Sequence, residues 1–317
     1  MDDVALRLER AVAERVGATA AVSMASLREA LDVVLHVLRV GAGSEVVTSP
    51  MIWPWAVEVI VGLGLLPRLA PVRDFDLNLD PELLARALPA HAPVVLVPHF
   101  AGSPAPLRQI QRLVSARRGL VIQDGSLALG ARHADGWVGS SGTCIFAMHG
   151  EDPRVDRRSA VVVFEDGELA DAARAERRKR DFGVGTEAAR YALAGMLRED
   201  DLWRRRQEVG RIYDLEFAAR PIDGLQVIGA RHPELSSRLY YGILVPASRC
   251  EALAEGLLLQ HPLVEIDVPE LIRPRAPQAL GLPTGARLIG LATHVAMQGR
   301  DVRWVVQSIR KLLTRTA

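Results

Sequence analysis

The stretch from residue 93 to residue 126, PVVLVPHFAGSPAPLRQIQRLVSARRGLVIQDGS, decides the fold. Pro93 to Pro98 is apolar throughout, and so is Leu120-Val121-Ile122 before the chain turns polar at Gln123-Asp124. Between them, Pro106 to Arg118 spaces its apolar residues for a helix. A strand with water on one face alternates apolar and polar residues. Runs this apolar belong to strands covered on both faces, as in a parallel sheet with crossover helices.

The same rhythm extends outward. Residues 2–16 and 25–39 read as helices, Glu45 to Thr48 as a strand, and Ala56 to Leu65 as a helix. Pro67 to Val72 is a strand, and Pro81 to Leu88 a helix with proline in its first turn. Beyond the opening stretch, Ala160 to Phe164 is a further strand, followed by helical patterns over 169–180 and 186–215. From about Arg220 the elements shorten, with strands at 240–245 and 287–291 and helices at 249–259 and 302–313. The prediction is an α/β fold. A mostly parallel sheet sandwiched by helices fills a large domain over 1–215, and a small α/β domain covers 216–317.

Composition excludes several classes of function. Of 317 residues, 49% are hydrophobic and 24% charged, with a net charge of +1. That argues against disorder and against a nucleic-acid partner, whose affinity rests on neutralised phosphates. Cys144 and Cys250 lie in no CxxC or Cys/His cluster, so no metal site or disulfide framework is predicted and the reducing cytoplasm is the expected location. The opening Met1-Asp2-Asp3-Val4 does not resemble a signal peptide. Val57 to Leu66, the most apolar stretch, is too short to span a membrane and reads as core. Of 39 basic residues only Lys179 and Lys311 are lysine. Chemistry that needs a lysine amine has two candidates in the chain.

Several segments, in order, resemble the DegT-type sugar aminotransferases, fold-type I enzymes that use pyridoxal phosphate (PLP). LREALDVVLHVLRVGAGSEVVTS, residues 27–49, is similar to the family's apolar helix and strand, and Asp74 to Leu84 to its D-x-x-x-x-N-x-D-P-x-x-L segment. VVLVPHFAGSP with GLVIQDGSLALGA resembles the paired strands PVHLYGQP and VIEDAAQAHGA. WRRRQEVGRIYDL, residues 203–215, and the closing LATHVAMQGRDVRWVVQSIRKLL resemble the family's long helix and its last strand and helix. The resemblance implies a large cofactor-binding domain, a small C-terminal domain, and a dimer whose sites form at the subunit interface.

The resemblance also marks what has changed. The family's Schiff-base lysine ends the run CFSFYPTK, whereas Cys144 to Asp152 here reads CIFAMHGED, with Gly150 or Glu151 in the lysine slot. The phosphate-binding SGT corresponds to residues around Ser23, and the glycine-rich loop has become DPRVDRRS. Asp124 remains where the family's aspartate pairs with the pyridine nitrogen, and Trp53 where an aromatic ring stacks on the cofactor. Asp124 also suits a strand-end turn, and Trp53 suits core or interface packing. His149, beside the vacant slot, is the candidate acid–base residue with Asp124. Ser126, His99 and Ser23 join Trp53 as candidate pocket residues.

On this reading the PLP site is degenerate and no cofactor is expected. The first functional expectation is a pseudoenzyme subunit, as a homodimer or as a heterodimer with a lysine-bearing aminotransferase homologue, in sugar or secondary-metabolite biosynthesis. The alternative is a PLP-independent enzyme that uses the old cleft for acid–base chemistry on a small metabolite. A third, a PLP or PMP (pyridoxamine phosphate) enzyme acting without a lysine, needs the phosphate contacts that have eroded.

Overall fold

The computed structural model describes residues 3–148, 159–229, 232–260, 266–267, 285–293 and 296–314. Helix α1 (Asp3–Val16), strand β1 (Ala20–Met24) and helix α2 (Leu27–Val37) open the chain. There follow β2 (Glu45–Thr48), α3 (Pro54–Gly62), β3 (Leu66–Leu69), α4 (Pro81–Ala87), β4 (Val94–Pro98), α5 (Leu107–Ser115) and β5 (Leu120–Asp124). A short hairpin, β6 (Arg132–His133) and β7 (Gly136–Trp137), leads to β8 (Thr143–Met148) and β9 (Ser159–Phe164). Helices α6 (Gly167–Arg180), α7 (Thr186–Leu197) and α8 (Glu199–Ala219) come next. The last part holds β10 (Gln226–Ile228), β11 (Tyr240–Pro246), α9 (Ala247–Gln260), β12 (Ile266–Asp267), β13 (Ala286–Ala292) and α10 (Gly299–Thr314).

Seven strands form one sheet in the order β1-β9-β8-β5-β4-β2-β3. All run parallel except β9, which pairs antiparallel with both β8 and β1. Alternate residues of these strands enter different cores. Val46, Leu96, Ile122 and Val162 pack with α2, α3 and α6. On the other face, Phe146 and Val163 meet α1 and α7, while Val95 and Val97 meet α4 and α5. Both faces are therefore dry, which is why the strands read as unbroken apolar runs.

A second, antiparallel sheet has the order β10-β11-β13-β12. It packs on α8, α9 and α10 through a core that includes Tyr213, Phe217, Ile243, Leu253, Ile289 and Val305. A small cluster joins the two sheets, with Met51, Leu77 and Phe100 against Ile228, Leu244 and Leu288. Among the described residues no helix is long and apolar enough to cross a membrane.

Three details depart from the sequence reading. The helix expected over 186–215 is two, α7 and α8, broken at Arg198 (φ −106°, ψ 5°). Residues 20–24, not recognised as a strand, form the sheet edge β1. The stretch read as core is half surface, since Val61 is 56% and Leu66 54% exposed.

Candidate functional site

Because β1, β2, β4, β5 and β8 point the same way, their carboxyl ends share one edge of the sheet, the edge where open α/β sheets place their ligands. Asp124 ends β5 at this edge. The next residue, Gly125, donates its N–H to Ile145 O of β8 at 2.8 Å. A Cβ there would stand 2.7 Å from Cys144 Sγ and 2.8 Å from the Phe146 ring, so only glycine lets the turn press onto β8. Ser126 N then donates to Asp124 Oδ1 at 3.0 Å, closing an Asx turn. The other carboxylate oxygen, Oδ2, is buried and meets no hydrogen-bond partner among the described residues. Burial pushes the Asp124 carboxyl above its usual range, against two stabilising bonds from Ser126. A buried acceptor left unmatched costs about 1–3 kcal/mol, more when charged, so this oxygen calls for a donor beyond the described residues.

His99 lies one residue past β4 and is tied to Asp124 through its backbone, His99 N donating to Asp124 O at 3.0 Å. Its ring faces inward. Nδ1 accepts from Ala105 N at 3.0 Å and Nε2 sits 3.2 Å from Gln123 Oε1, which assigns the proton to Nε2 and leaves neither nitrogen for a ligand. Burial, with the charge of nearby His133, lowers the His99 pKa to about 3 in spite of the Gln123 bond. His99 is a neutral prop for the turn over 99–105, not the pocket donor that was expected. Asn78 props the same turn. Its Oδ1 accepts from Phe100 N at 3.0 Å, and its Nδ2 donates to Ser103 O at 3.2 Å. Asn78 lies within the D-x-x-x-x-N-x-D-P-x-x-L segment, whose pattern alone does not reveal this part.

Trp53 precedes α3 and lines a shallow, open cleft. Phe100 and Leu127 stand with it on one side, Tyr240 and Leu288 of the second sheet on the other. Leu127 belongs to the turn that follows Asp124 and Ser126, neither of which lines this cleft. Cys144, beneath them, is buried with its thiol pKa pushed well up by desolvation.

Ser23 lies apart. It sits inside β1, fully buried, where its Oγ donates to Glu9 Oε1 at 2.8 Å and Arg177 Nη1 donates to its carbonyl at 2.9 Å. The helix N-terminus sought there begins at Ser26, whose Oγ accepts from Glu29 N at 3.3 Å. The capping signal Ser26-Leu27-Arg28-Glu29 was present in the sequence and overlooked. His149 lies outside the described residues. Lys179, on α6, is 72% exposed beside Glu176, and Lys311 is exposed on α10.

The model of the DegT/DnrJ/EryC1/StrS aminotransferase family matches residues 3–196. Solved structures share the whole fold. 3-Amino-5-hydroxybenzoic acid synthase superposes with a TM-score of 0.84 at 21% identity, over 99% of this chain and 91% of that one. The PseC aminotransferase of Helicobacter pylori, involved in pseudoaminic acid biosynthesis, gives 0.81 at 20%, over 99% and 92%. The putative sugar aminotransferase Spr1654 of Streptococcus pneumoniae, in its PMP-form, gives 0.84 at 17%, over 100% and 93%. It is also known in a PLP-form. These matches overturn the expectation that no cofactor binds. The matching family is one of PLP-dependent aminotransferases, and the unmatched Asp124 oxygen fits the ring nitrogen of that cofactor.

Proposed function

This chain belongs to the DegT/DnrJ/EryC1/StrS aminotransferase family, and from that premise we propose that it holds PLP or PMP without a covalent bond and serves as the non-transaminating subunit of a pair. The partner is a lysine-bearing homologue, and the setting is the biosynthesis of a sugar-derived or secondary metabolite. The buried, half-matched Asp124 carboxylate carries the reading. When bound, the cofactor supplies an electron sink for carbanion chemistry. Asp124 would hold the cofactor's ring nitrogen through Oδ2, the oxygen with no partner among the described residues. Ser126 N fixes Oδ1, so the carboxylate cannot turn away, and Gly125 seats both on β8. Trp53 and Leu127 supply the apolar wall that excludes water.

The sequence from Cys144 to Asp152 holds no lysine, and Lys179 and Lys311 lie on helices remote in sequence from the strand ends. The half-exposed Val61 and Leu66 favour burial against a second subunit. The test is incubation with PLP, gel filtration, the near-ultraviolet and visible spectrum, then borohydride reduction and intact mass. Retained cofactor that dialysis removes is expected, with no adduct, no transamination of glutamate by the chain alone, and at least tenfold weaker retention in Asp124→Asn. A reduced adduct on Lys179 or Lys311, or no retention at all, sinks the proposal.

A further inference from the structure

Two consecutive serines reach from the second sheet into the turns around Asp124. Ser236 and Ser237 lead into β11, and both are buried. Ser237 Oγ donates to Leu127 O at 2.6 Å, while Ser236 Oγ and Ser237 N both donate to Gly102 O at 3.0 Å. Each of those carbonyls belongs to a turn joined to Asp124. Leu127 sits in the turn closed by Ala128 N to Gly125 O at 2.8 Å, and Gly102 in the turn whose His99 N bonds Asp124 O. The two hydroxyls are oriented from behind. Ser236 Oγ accepts from Arg238 N at 3.1 Å and Ser237 Oγ from Leu239 N at 3.3 Å, which leaves each proton to its carbonyl.

The contact is close and its far side is anchored. A Cβ on Gly102, whose φ is +75°, would stand 2.0 Å from Ser237 Oγ and 2.8 Å from Leu127 O, so no side chain fits there. On α8, Arg206 Nε donates to Ser237 O at 3.0 Å and Gln207 Nε2 to Ser236 O at 2.7 Å. Arg206 is itself buried and paired with Glu199. Apolar contact between the sheets is supplied elsewhere, by Met51, Leu77 and Phe100 against the second sheet. What the oriented hydrogen bonds add is a fixed register between this segment and the two turns.

We propose that Ser237 is a positioning residue for the Asp124 carboxylate: through Leu127 O it fixes the turn that carries Asp124 and Ser126, with Ser236 as the second arm of a clasp. Ser126 N, the donor to Asp124 Oδ1, belongs to the residue just before Leu127, so a turn free to shift at Leu127 loosens the carboxylate. Ser237 acts through the turn and not on the cofactor. The inference rests on the reading above for what the carboxylate serves, and not for the coupling of Ser237 to Asp124.

Four full-length chains test it: wild type, Ser237→Ala, Asp124→Asn and the double variant. Equilibrium dialysis against PMP at pH 7 reads the cofactor site, and urea melts of the cofactor-free chains read the coupling. Ser237→Ala is expected to weaken PMP retention roughly tenfold, and by less than about twofold when Asp124→Asn is already present, because the two residues act as a unit. In the cofactor-free chains, the gain in the folding equilibrium from Asp124→Asn should be roughly threefold smaller when Ser237→Ala accompanies it. A serine that only packs the sheets lowers stability by the same factor in both backgrounds and leaves the PMP affinity of the folded chain unchanged. Either of those results overturns the proposal. A wild type that retains no PMP fails the reading above, and the melts of the free chains still decide this one.

Discussion

Asp124 is an acid that the fold alone treats badly. Its folded pKa stands above its unfolded value because burial disfavours the charge. Between those two values the folded chain binds more protons than the unfolded one, so stability falls as pH rises through the window. The penalty is complete above the folded pKa and vanishes below the ordinary carboxylate range. Asp124→Asn is therefore expected to stabilise the cofactor-free protein at pH 7, because the amide carries no charge to desolvate. The gain should shrink on acidification, and urea melts at several pH values measure it. Saturating PLP should reverse the order, the wild type then being the more stable, as stabilisation by a ligand that binds only the folded state requires. Gly125→Ala should cost about 1–3 kcal/mol, because its Cβ has no room against Cys144 and Phe146. Much of this neighbourhood was legible in the sequence. An aspartate ending an apolar strand, then glycine and serine, is a local pattern. The parts of His99 and Ser23 were not legible, because the groups that claim their side chains, Gln123, Glu9 and Arg177, come from other elements.

At the scale of elements, apolar runs and caps announced nearly every strand and helix of the large sheet, because burial on both faces leaves a strong signal. β1 escaped because Ala20-Ala21-Val22-Ser23-Met24 is short and small, and its strand character comes from pairing with β9, far along the chain. The break between α7 and α8 was written in Glu199-Asp200-Asp201, an acidic first turn suited to a new helix dipole. What fixes β1 between α1 and α6 is a buried ion pair, Arg177 Nη1 to Glu9 Oε1 at 2.7 Å, with both side chains almost wholly inaccessible. Removing one partner strands a charge. Arg177→Met is expected to lower the unfolding free energy by about 3–5 kcal/mol in chemical denaturation. The double variant Glu9→Leu with Arg177→Met should recover much of that loss, since the uncompensated charge is then gone.

For the whole molecule, the exposed apolar edge at α3 and β3 bears on assembly. Light scattering at micromolar concentration should give a dimer, alone or with a lysine-bearing homologue, and Val61→Glu should shift it toward monomer. A monomeric wild type under both conditions would count against the paired subunit. The position of β1 also bears on how the protein is made. It sits at the margin of its sheet, where β9 is its neighbour. The ribosome thus releases β1 before any other strand of that sheet, and its hydrogen-bonding mate emerges after all the rest. Through most of translation the nascent chain carries an apolar ribbon with an open edge, the form most prone to wrong pairing. A message truncated ahead of Ser159 would yield not a smaller working protein but a client for chaperones, and synthesis of this subunit should be unusually sensitive to pauses before that codon.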